Sequence, residues 1–514
     1  MAARITAYAV ALIVGLTLIA GLIVGAQRDD DGPVDLIVIN GRVYTPDGDG
    51  TMAEAVAVQG NKILRVGTTR EVQRMRRPQT VVVDAKGGAV MPGFNDASLN
   101  FLSAGLTLSE IDLRGAETVA EIERTVRAWA LQHPDREWII GRGWSVDAFD
   151  GLLPTKQLLD AVVADRPAYL ISEDGQTGWA NTHALRAAGI ARRSANPAHG
   201  VIVKDARSGE PTGVLTQAAM TLVSAVLPKP TRDDKKAAIR AAMTDAHRRG
   251  VTSVQSVVDS PAELELYDEL RRAQDLGIRI YATLAAPPDV GGSDLDILAP
   301  LKVQYGDDPL FKAGAVRVAI SMDGVTESHT MNVETLNRVV GELDRRGWQV
   351  TIHASGEGAG EAARDAIAYA ARTNPVPARD RRHRIEQSWL HGMMIRSGDV
   401  VTLGSEGPAR AGDPLLGIFV AVNGHSPETE PLITAPAPGE RLTLRQAIDA
   451  YTRNAAWLSF DEHRKGTLER DMLADLVVLT RDIFALPSAR MAEAEVAVTI
   501  FDGKVVYQRA TETN

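Results

Sequence analysis

The feature that most constrains the fold is an alternation of short apolar runs with helical segments between residues 167 and 407. The apolar runs are PAYLIS, VTSVQSV, IRIYATL, VRVAIS, WQVTIHAS, HRIEQS and VVTLGSEG. The segments TRDDKKAAIRAAMTDAHRRG, PAELELYDELRRAQDLG and EGAGEAARDAIAYAARTN have the composition and apolar spacing of helices. Repeated strand–helix units imply parallel strands, and hence an α/β barrel or a doubly wound sheet.

The two ends of the chain have a different pattern. Near the N-terminus, VDLIVINGRVYTPDGDG and EAVAVQGNKILRVG alternate apolar and polar residues around Asn-Gly and Gly-Asn turns. Near the C-terminus, LADLVVLT and AVTIFDGKVVYQ repeat the pattern around Asp502-Gly503. These segments predict one small β-sandwich built from both termini; two unrelated sheets are the alternative.

The N-terminal segment Ala7–Ala26 contains twenty residues without a charge. As a helix it would be roughly 30 Å long, enough to cross a bilayer core. Arg4 precedes it, and Arg28 and the aspartates at 29–31 follow it. The sequence therefore predicts a single-pass anchor with the body on the extracytoplasmic side of the membrane. A signal peptide cleaved after Ala26, which would release a secreted protein, is the alternative.

These patterns predict an order of domains along the 514 residues. Residues 1–32 form the anchor and linker, 33–91 the first part of the sandwich, 92–464 the central unit, and 465–514 the second part of the sandwich. Composition excludes some functions. A net charge of −10 argues against nucleic acid as a partner. The absence of cysteine excludes disulfides, thiolate metal sites and a cysteine nucleophile.

A series of motifs in chain order resembles the amidohydrolase superfamily, in the branch that contains N-substituted formamide deformylases. It comprises VMPGFNDASLNF, GRGWSVDAF, DRPAYLISEDGQTGWANTHALRAAGI, GEPTGVLTQAAM, AISMDGVTESHT, VTIHASGEGAG, RHRIEQS, GSEGP and GTLERDMLADLVVL. The resemblance extends from about Asp35 to Tyr507. It implies a (β/α)8-type barrel beside a composite β-sandwich, with an α/β insertion at about residues 105–235. The family carries out metal-assisted hydrolysis, mostly of C–N bonds.

The resemblance also implies where metal ligands should lie, and most of those positions hold other residues. The paired histidines of the first barrel strand align with Ser98 and Asn100. A lysine of the fourth strand aligns with Ala319, and the histidine of the sixth strand aligns with Gln387. The strand 5 histidine is retained as His353.

Three further family positions are altered. The aspartate of the eighth strand aligns with Glu406. In the insertion, a histidine and a glutamate of the family align with Gln176 and Gln217. Neutral serine, asparagine and glutamine oxygens are poor ligands for zinc. We therefore expect no metal and no other cofactor, with Ser98, Asn100, Gln176, Gln217 and Gln387 lining an uncharged, hydrated pocket.

Any remaining catalysis would depend on Glu406, His353 and Asp323. Glu406 is a candidate general base with His353 as its partner. A single histidine at a strand end is also commonly a hydrogen-bonded structural residue. His329, Asp174 and Glu357 are nearby polar candidates in the barrel interpretation, and helix capping is their alternative role.

The segment between the sixth and eighth barrel strands is short. Only 18 residues, 388–405, separate Gln387 from Glu406. Each helical crossover between parallel strands needs about a dozen residues. The sequence therefore predicts an irregular barrel from which strand 7 and a helix are missing.

Three functions remain open from the sequence. The first is a membrane-anchored, metal-free pseudoenzyme that acts as a binding or scaffolding subunit, with a protein partner or complex. The second is a divergent hydrolase of amide or formamide-type C–N bonds with a reduced site. The third is a sensor of a small polar ligand.

Overall fold

The computed structural model describes residues 34–45, 53–149, 151–286, 290–291, 295–322, 331–374, 380–389, 392–405, 412–427 and 441–510. The predicted anchor and the candidate residues Asp323, His329 and Glu406 lie outside these ranges. Within them, no helix combines the length and the apolar character that crossing a bilayer requires.

The described part of the chain begins with small strands, several of them rich in valine and isoleucine. They are β1 (Leu36–Ile39), β2 (Arg42–Val43), β3 (Ala55–Gln59), β4 (Lys62–Gly67), β5 (Val81–Asp84) and β6 (Ala89–Pro92), with helix α1 (Thr69–Gln73) after β4. A four-stranded sheet forms in the order β4-β3-β1-β5. Helix α1 begins at a capping box, in which Thr68 and Glu71 satisfy each other's backbone N–H groups.

An insertion separates the first barrel strand from the second. Strand β7 (Phe94–Leu99) and helix α2 (Phe101–Thr107) precede it. Its elements are β8 (Ile111–Asp112), α3 (Val119–Gln132), β9 (Ile139–Trp144), α4 (Lys156–Val162), β10 (Ala168–Ser172), β11 (Thr177–Ala180), α5 (Thr182–Ala187), β12 (Gly200–Lys204), β13 (Pro211–Gln217) and α6 (Thr221–Ser224). The strands form one sheet in the order β12-β13-β11-β10-β9-β8. Its core is built on edge-to-face contacts among Trp144, Phe149 and Trp179.

The remainder of the central unit is strand–helix repeats. They are α7 (Arg232–Arg248), β14 (Val251–Val258), α8 (Pro261–Arg272), β15 (Arg279–Ala285), α9 (Leu298–Gln304), β16 (Phe311–Ser321), α10 (Val333–Arg345), β17 (Gln349–Ser355), α11 (Ala359–Thr373), β18 (Arg384–Trp389), β19 (Gly392–Ser397) and β20 (Val400–Gly404). Helices α12 (Pro414–Asn423), α13 (Leu444–Tyr451) and α14 (Arg453–Leu458) follow. The eight-stranded sheet has the order β20-β19-β18-β17-β16-β15-β14-β7, which is a nearly closed barrel.

The seventh barrel position is occupied, so the prediction that strand 7 is missing is wrong. Strand β19 pairs antiparallel with both β18 and β20, whereas β7 and β14 to β18 are parallel. Antiparallel neighbours need only a two-residue turn, which residues 398–399 supply between β19 and β20, and no more than two residues of sequence separate β18 from β19. The helical crossovers are absent from this segment, and the barrel is irregular here as predicted.

Both ends of the chain contribute to one five-stranded sheet. The C-terminal strands are β21 (Leu476–Leu479), β22 (Val496–Phe501) and β23 (Lys504–Gln508), and the sheet order is β2-β6-β21-β22-β23. Strand β6 pairs antiparallel with β21. A buried bidentate ion pair between Arg279 of the barrel and Asp475 fastens this sheet to the barrel, with Nε–Oδ2 at 2.6 Å.

Candidate functional site

The pleat of the barrel strands decides which side chains point to the interior. On β17, Val350, Ile352 and Ala354 belong to the core shared with the surrounding helices. Thr351 and His353 therefore face the inside of the barrel, because side chains alternate between faces. Residues opposite these two in the ladders share that face, and they are Arg317, Ala319, Arg384 and Glu386.

An arginine and a glutamate form an ion pair beside His353. Nε of Arg317 donates to Oε2 of Glu386 at 3.0 Å. Glu386 is fully buried, and the Arg317 side chain is one quarter exposed. The second oxygen of Glu386 is also buried, and it has no hydrogen-bond partner among the residues that the structure describes. A buried carboxylate needs a cation nearby, and here the guanidinium supplies it.

A second guanidinium lies deeper in the barrel. Arg384 is fully buried; its Nε donates to Oγ1 of Thr351 at 2.7 Å, and its other nitrogens donate to Gln255 and to Thr283. Burial lowers the pKa of Arg384, and the negative charge of Glu386 opposes that shift. The barrel interior therefore carries charged side chains that the sequence analysis did not anticipate.

The two residues at the strand 1 positions have different surroundings. Ser98 is buried on β7, and its main-chain nitrogen lies close to Gly404 of β20. Asn100 is the N-cap of α2, where Oδ1 accepts from Ser103 N at 3.0 Å. Nδ2 of Asn100 donates to Asp259 at 3.3 Å. The side chain of Asn100 thus serves to start a helix and to link β7 to the end of β14.

Asp96 joins the first and last barrel strands and was not singled out by the motif comparison. Its Oδ1 accepts from the main-chain N–H of Ser98 at 3.1 Å and from that of Ser405 at 3.0 Å. Burial raises the pKa of Asp96 to about 6, against the opposing effect of these hydrogen bonds. A Cβ on Gly404 would lie 2.5 Å from Ser98 N, so glycine permits the close approach of the strands.

Gln387 lies apart from the interior residues. Its side chain is exposed, and a Cβ on Gly360 at the start of α11 would lie 2.8 Å from its Nε2. The neighbouring Glu386 takes the interior place because adjacent residues of a strand face opposite sides. Ala319 faces the interior but has no polar group. Arg317, two residues earlier on β16 and on the same face of the strand, carries the positive charge instead. The sequence analysis did not select Arg317 or Glu386. Each is a charged residue within two positions of a residue that the resemblance aligned with a metal-ligand position, Ala319 and Gln387.

The structure brings Gln176 and Gln217 together at one end of the insertion sheet. The N–H of Gln217 donates to the carbonyl of Gln176 at 3.0 Å, and both side chains are exposed. Gln217 has a φ of 49°, which is uncommon for a residue other than glycine. Asp174 accepts hydrogen bonds from Ser172 Oγ and from Gln176 N. Its carboxylate therefore stabilises the turn between β10 and β11. Glu357 is exposed.

The described residues do not fit the zinc site that the family resemblance implies. In this part of the chain, no three histidine, aspartate or glutamate side chains are grouped closely enough to hold a metal ion. His353 and Glu386 are adjacent in the ladder, but Arg317 already bonds the carboxylate. A structural or catalytic zinc needs at least three good protein ligands.

The architecture is a nearly closed barrel beside sheets that are built from both ends of the chain. A solved structure of an uncharacterized metal-dependent hydrolase from Pyrococcus horikoshii superimposes with a TM-score of 0.63 at 20% identity, covering 88% of this chain and 99% of that one. The sequence profile of the amidohydrolase family matches residues 81–391 and 382–507. This chain belongs to the amidohydrolase family, as the motifs predicted.

Curated relatives match over nearly the whole chain. The protein LONG AFTER FAR-RED 3 of Arabidopsis thaliana is 27% identical, covering 92% of this chain and 91% of its own length. The N-substituted formamide deformylase of Arthrobacter pascens is 26% identical, covering 92% of this chain and 98% of its own length. The deformylase belongs to the branch that the motifs indicated.

Proposed function

We propose that this protein is a membrane-anchored, metal-free member of the amidohydrolase family that binds a small polar ligand at the barrel mouth and acts as a binding or scaffolding subunit. The observation that carries the proposal is the Arg317–Glu386 pair beside His353. A positive guanidinium bonded to the buried carboxylate opposes the binding of a dication in the same place. The pair is suited to recognising a polar molecule.

The ligand chemistry follows from the groups that remain available. Arg317 uses Nε for Glu386, and its partly exposed guanidinium has further N–H donors for a carbonyl or carboxylate oxygen. The second oxygen of Glu386, which has no partner among the described residues, would accept from an N–H or O–H group of the ligand. A small amide or amino-carboxylate with an acceptor next to a donor satisfies both.

The anchor belongs to the proposal because of the uncharged segment Ala7–Ala26. Such a segment would hold the barrel at the extracytoplasmic face of a membrane, where a ligand or a protein partner could be captured. Retention at a surface suits a binding subunit, because tethering raises the effective concentration of one partner near another.

Ligand binding can be tested by thermal unfolding of the full-length chain with a panel of small amides, formamides and amino-carboxylates. We expect at least one compound to raise the melting temperature. The shift should be lost in Arg317→Gln and retained in Arg127→Gln, which removes an exposed arginine of α3. A panel without any shift, or a shift that survives Arg317→Gln, would contradict binding at this pair.

A divergent hydrolase is the second candidate, and the match to the deformylase over 98% of its length favours it. Glu406 would act as its general base, with His353 and Asp323 as assisting residues. Hydrolysis of N-substituted formamides by the unmodified protein, lost in Glu406→Gln and retained in Glu357→Gln, would establish this candidate and exclude the pseudoenzyme.

A further inference from the structure

Four arginines on and after helix α1 form what we name the arginine face: Arg70, Arg74, Arg76 and Arg77. All four side chains are exposed. None of them forms an ion pair with the described residues, whereas the nearby Arg65 is paired with Glu71 at 3.5 Å. Four guanidinium groups within eight residues leave a concentrated positive charge that no ion pair with the described residues neutralises.

The local charge balance contrasts with that of the whole chain. Residues 65–86 contain six basic and two acidic side chains, although the protein has a net charge of −10. Both acids are engaged within the fold: Glu71 caps α1, and Asp84 accepts from Asn40 Nδ2 and from Lys86 N. The positive field of the arginine face is therefore directed outward, to an anionic partner.

Two exposed apolar residues follow the arginine face closely in the sequence. Val81 and Val82 on the edge strand β5 are 50% and 36% exposed. Basic side chains next to exposed aliphatic ones are the combination that suits the interface of a lipid bilayer, where charge meets headgroups and methyl groups meet the upper acyl region.

The position of this surface relative to the N-terminal segment identifies the partner. Arg77 N donates to Thr80 Oγ1 at 2.8 Å, and Thr80 Oγ1 donates to the carbonyl of Val34 at 2.6 Å. The arginine face thus adjoins the point where the described chain begins. Residues 27–33 alone separate Val34 from the apolar segment Ala7–Ala26. Seven residues span at most about 25 Å, so an anchored segment keeps this surface close to the bilayer.

We infer that the arginine face docks on the anionic headgroups of the membrane in which the chain is anchored, an inference that rests on the anchor in the proposed function. Guanidinium groups bind lipid phosphates bidentately. Docking fixes the orientation of the body relative to the bilayer, which a tether alone does not. The competing occupant is the acidic run at residues 29–31 of the same chain.

The absence of cysteine allows a direct measurement on the full-length chain. A nitroxide is attached at Gln79→Cys, beside the arginine face, and in a second sample at Ser208→Cys, an exposed turn of the insertion. Each protein is reconstituted into vesicles of phosphatidylcholine alone and of phosphatidylcholine with phosphatidylglycerol. The accessibility of each label to oxygen and to a water-soluble nickel chelate is then recorded.

We expect the label at 79 to be protected from the chelate in anionic vesicles and accessible in neutral ones, and the label at 208 to be accessible in both. Arg74→Gln/Arg76→Gln/Arg77→Gln should lower the ratio of docked to undocked protein on the order of a hundredfold. The matched variant Arg192→Gln/Arg193→Gln/Arg207→Gln, which removes three exposed arginines of the insertion, should leave it unchanged.

Equal accessibility at 79 in both vesicle types would overturn the inference. Protection in neutral vesicles that is lost in Asp29→Asn/Asp30→Asn/Asp31→Asn would also overturn it, because the aspartates would then cover the arginine face. Failure of the chain to sediment with either vesicle type would refute the anchor. In that case anionic vesicles are added to the unanchored chain, and the accessibility of the label at 79 is measured again. Protection from the chelate would support docking of the arginine face on anionic lipid, and continued accessibility would contradict it.

Discussion

Inside the barrel, Arg317 and Glu386 are bonded at 3.0 Å although 69 residues separate them in the sequence. They come from β16 and β18, on either side of the strand that carries His353. The barrel thus holds a guanidinium–carboxylate pair next to His353, the residue that the family resemblance aligns with a metal-ligand position.

The first prediction concerns the stability of this pair. Arg317→Met leaves the buried carboxylate of Glu386 without its cation, and we expect a loss of roughly 3 kcal/mol in the free energy of unfolding. Arg317→Met/Glu386→Leu should recover part of that loss, because the buried carboxylate is removed together with its bonded cation, whereas Arg384 loses the favourable charge of Glu386. Urea unfolding of the wild type, both single variants and the double variant measures the coupling. Additive losses in the double variant would mean that the two side chains act independently.

A second prediction concerns pH and Asp96. Its pKa is raised to about 6 in the folded protein, and the unfolded value is about 4. Between these values the folded state binds more protons than the unfolded state, so the contribution of this carboxyl to stability falls as pH rises from about 4 to 6. Asp96→Asn should remove that slope while Glu263, whose pKa burial raises to about 7, remains in both proteins. Parallel stability curves for the two proteins would contradict this.

A third prediction tests the closure of the barrel. Gly404→Ala would place Cβ 2.5 Å from the backbone nitrogen of Ser98, and overpacking of this kind costs about 1–3 kcal/mol. Gly306→Ala is the control, because its nearest neighbour would lie 3.5 Å away, an ordinary contact. Chemical denaturation of both variants gives the comparison. Equal free energies of unfolding for the two variants would mean that the close approach of β7 and β20 at Gly404 does not contribute to stability.

The sequence predicted the features that depend on local patterns. It did not predict features that depend on contacts between residues far apart in the chain. Strand–helix repeats predicted a barrel or a doubly wound sheet, and the family resemblance selected the barrel. The alternating ends predicted one small β-sandwich, and strands from both ends do pair, as β6 and β21 show. The seventh strand was missed because a length argument assumed parallel connections, whereas β19 is reached by short turns.

The site was predicted less completely than the fold. Motif alignment selected Gln387, yet Glu386 faces the interior, since one residue of register reverses the face of a strand. Arg317 was not predicted as a site residue, because its partner Glu386 lies on β18, two strands away in the sheet. Asn100 was aligned with a ligand position, but its side chain caps α2, which only the backbone geometry reveals.

The most direct test of the account is the metal content of the full-length protein, purified without added metal and again after incubation with zinc and removal of excess. We predict far less than one zinc, iron or manganese per chain in both samples, with no difference in His353→Ala, because Arg317 neutralises the buried carboxylate and the aligned ligand positions hold Ser98, Asn100 and Gln387. About one tightly bound metal ion per chain, lost in His353→Ala, would contradict the account.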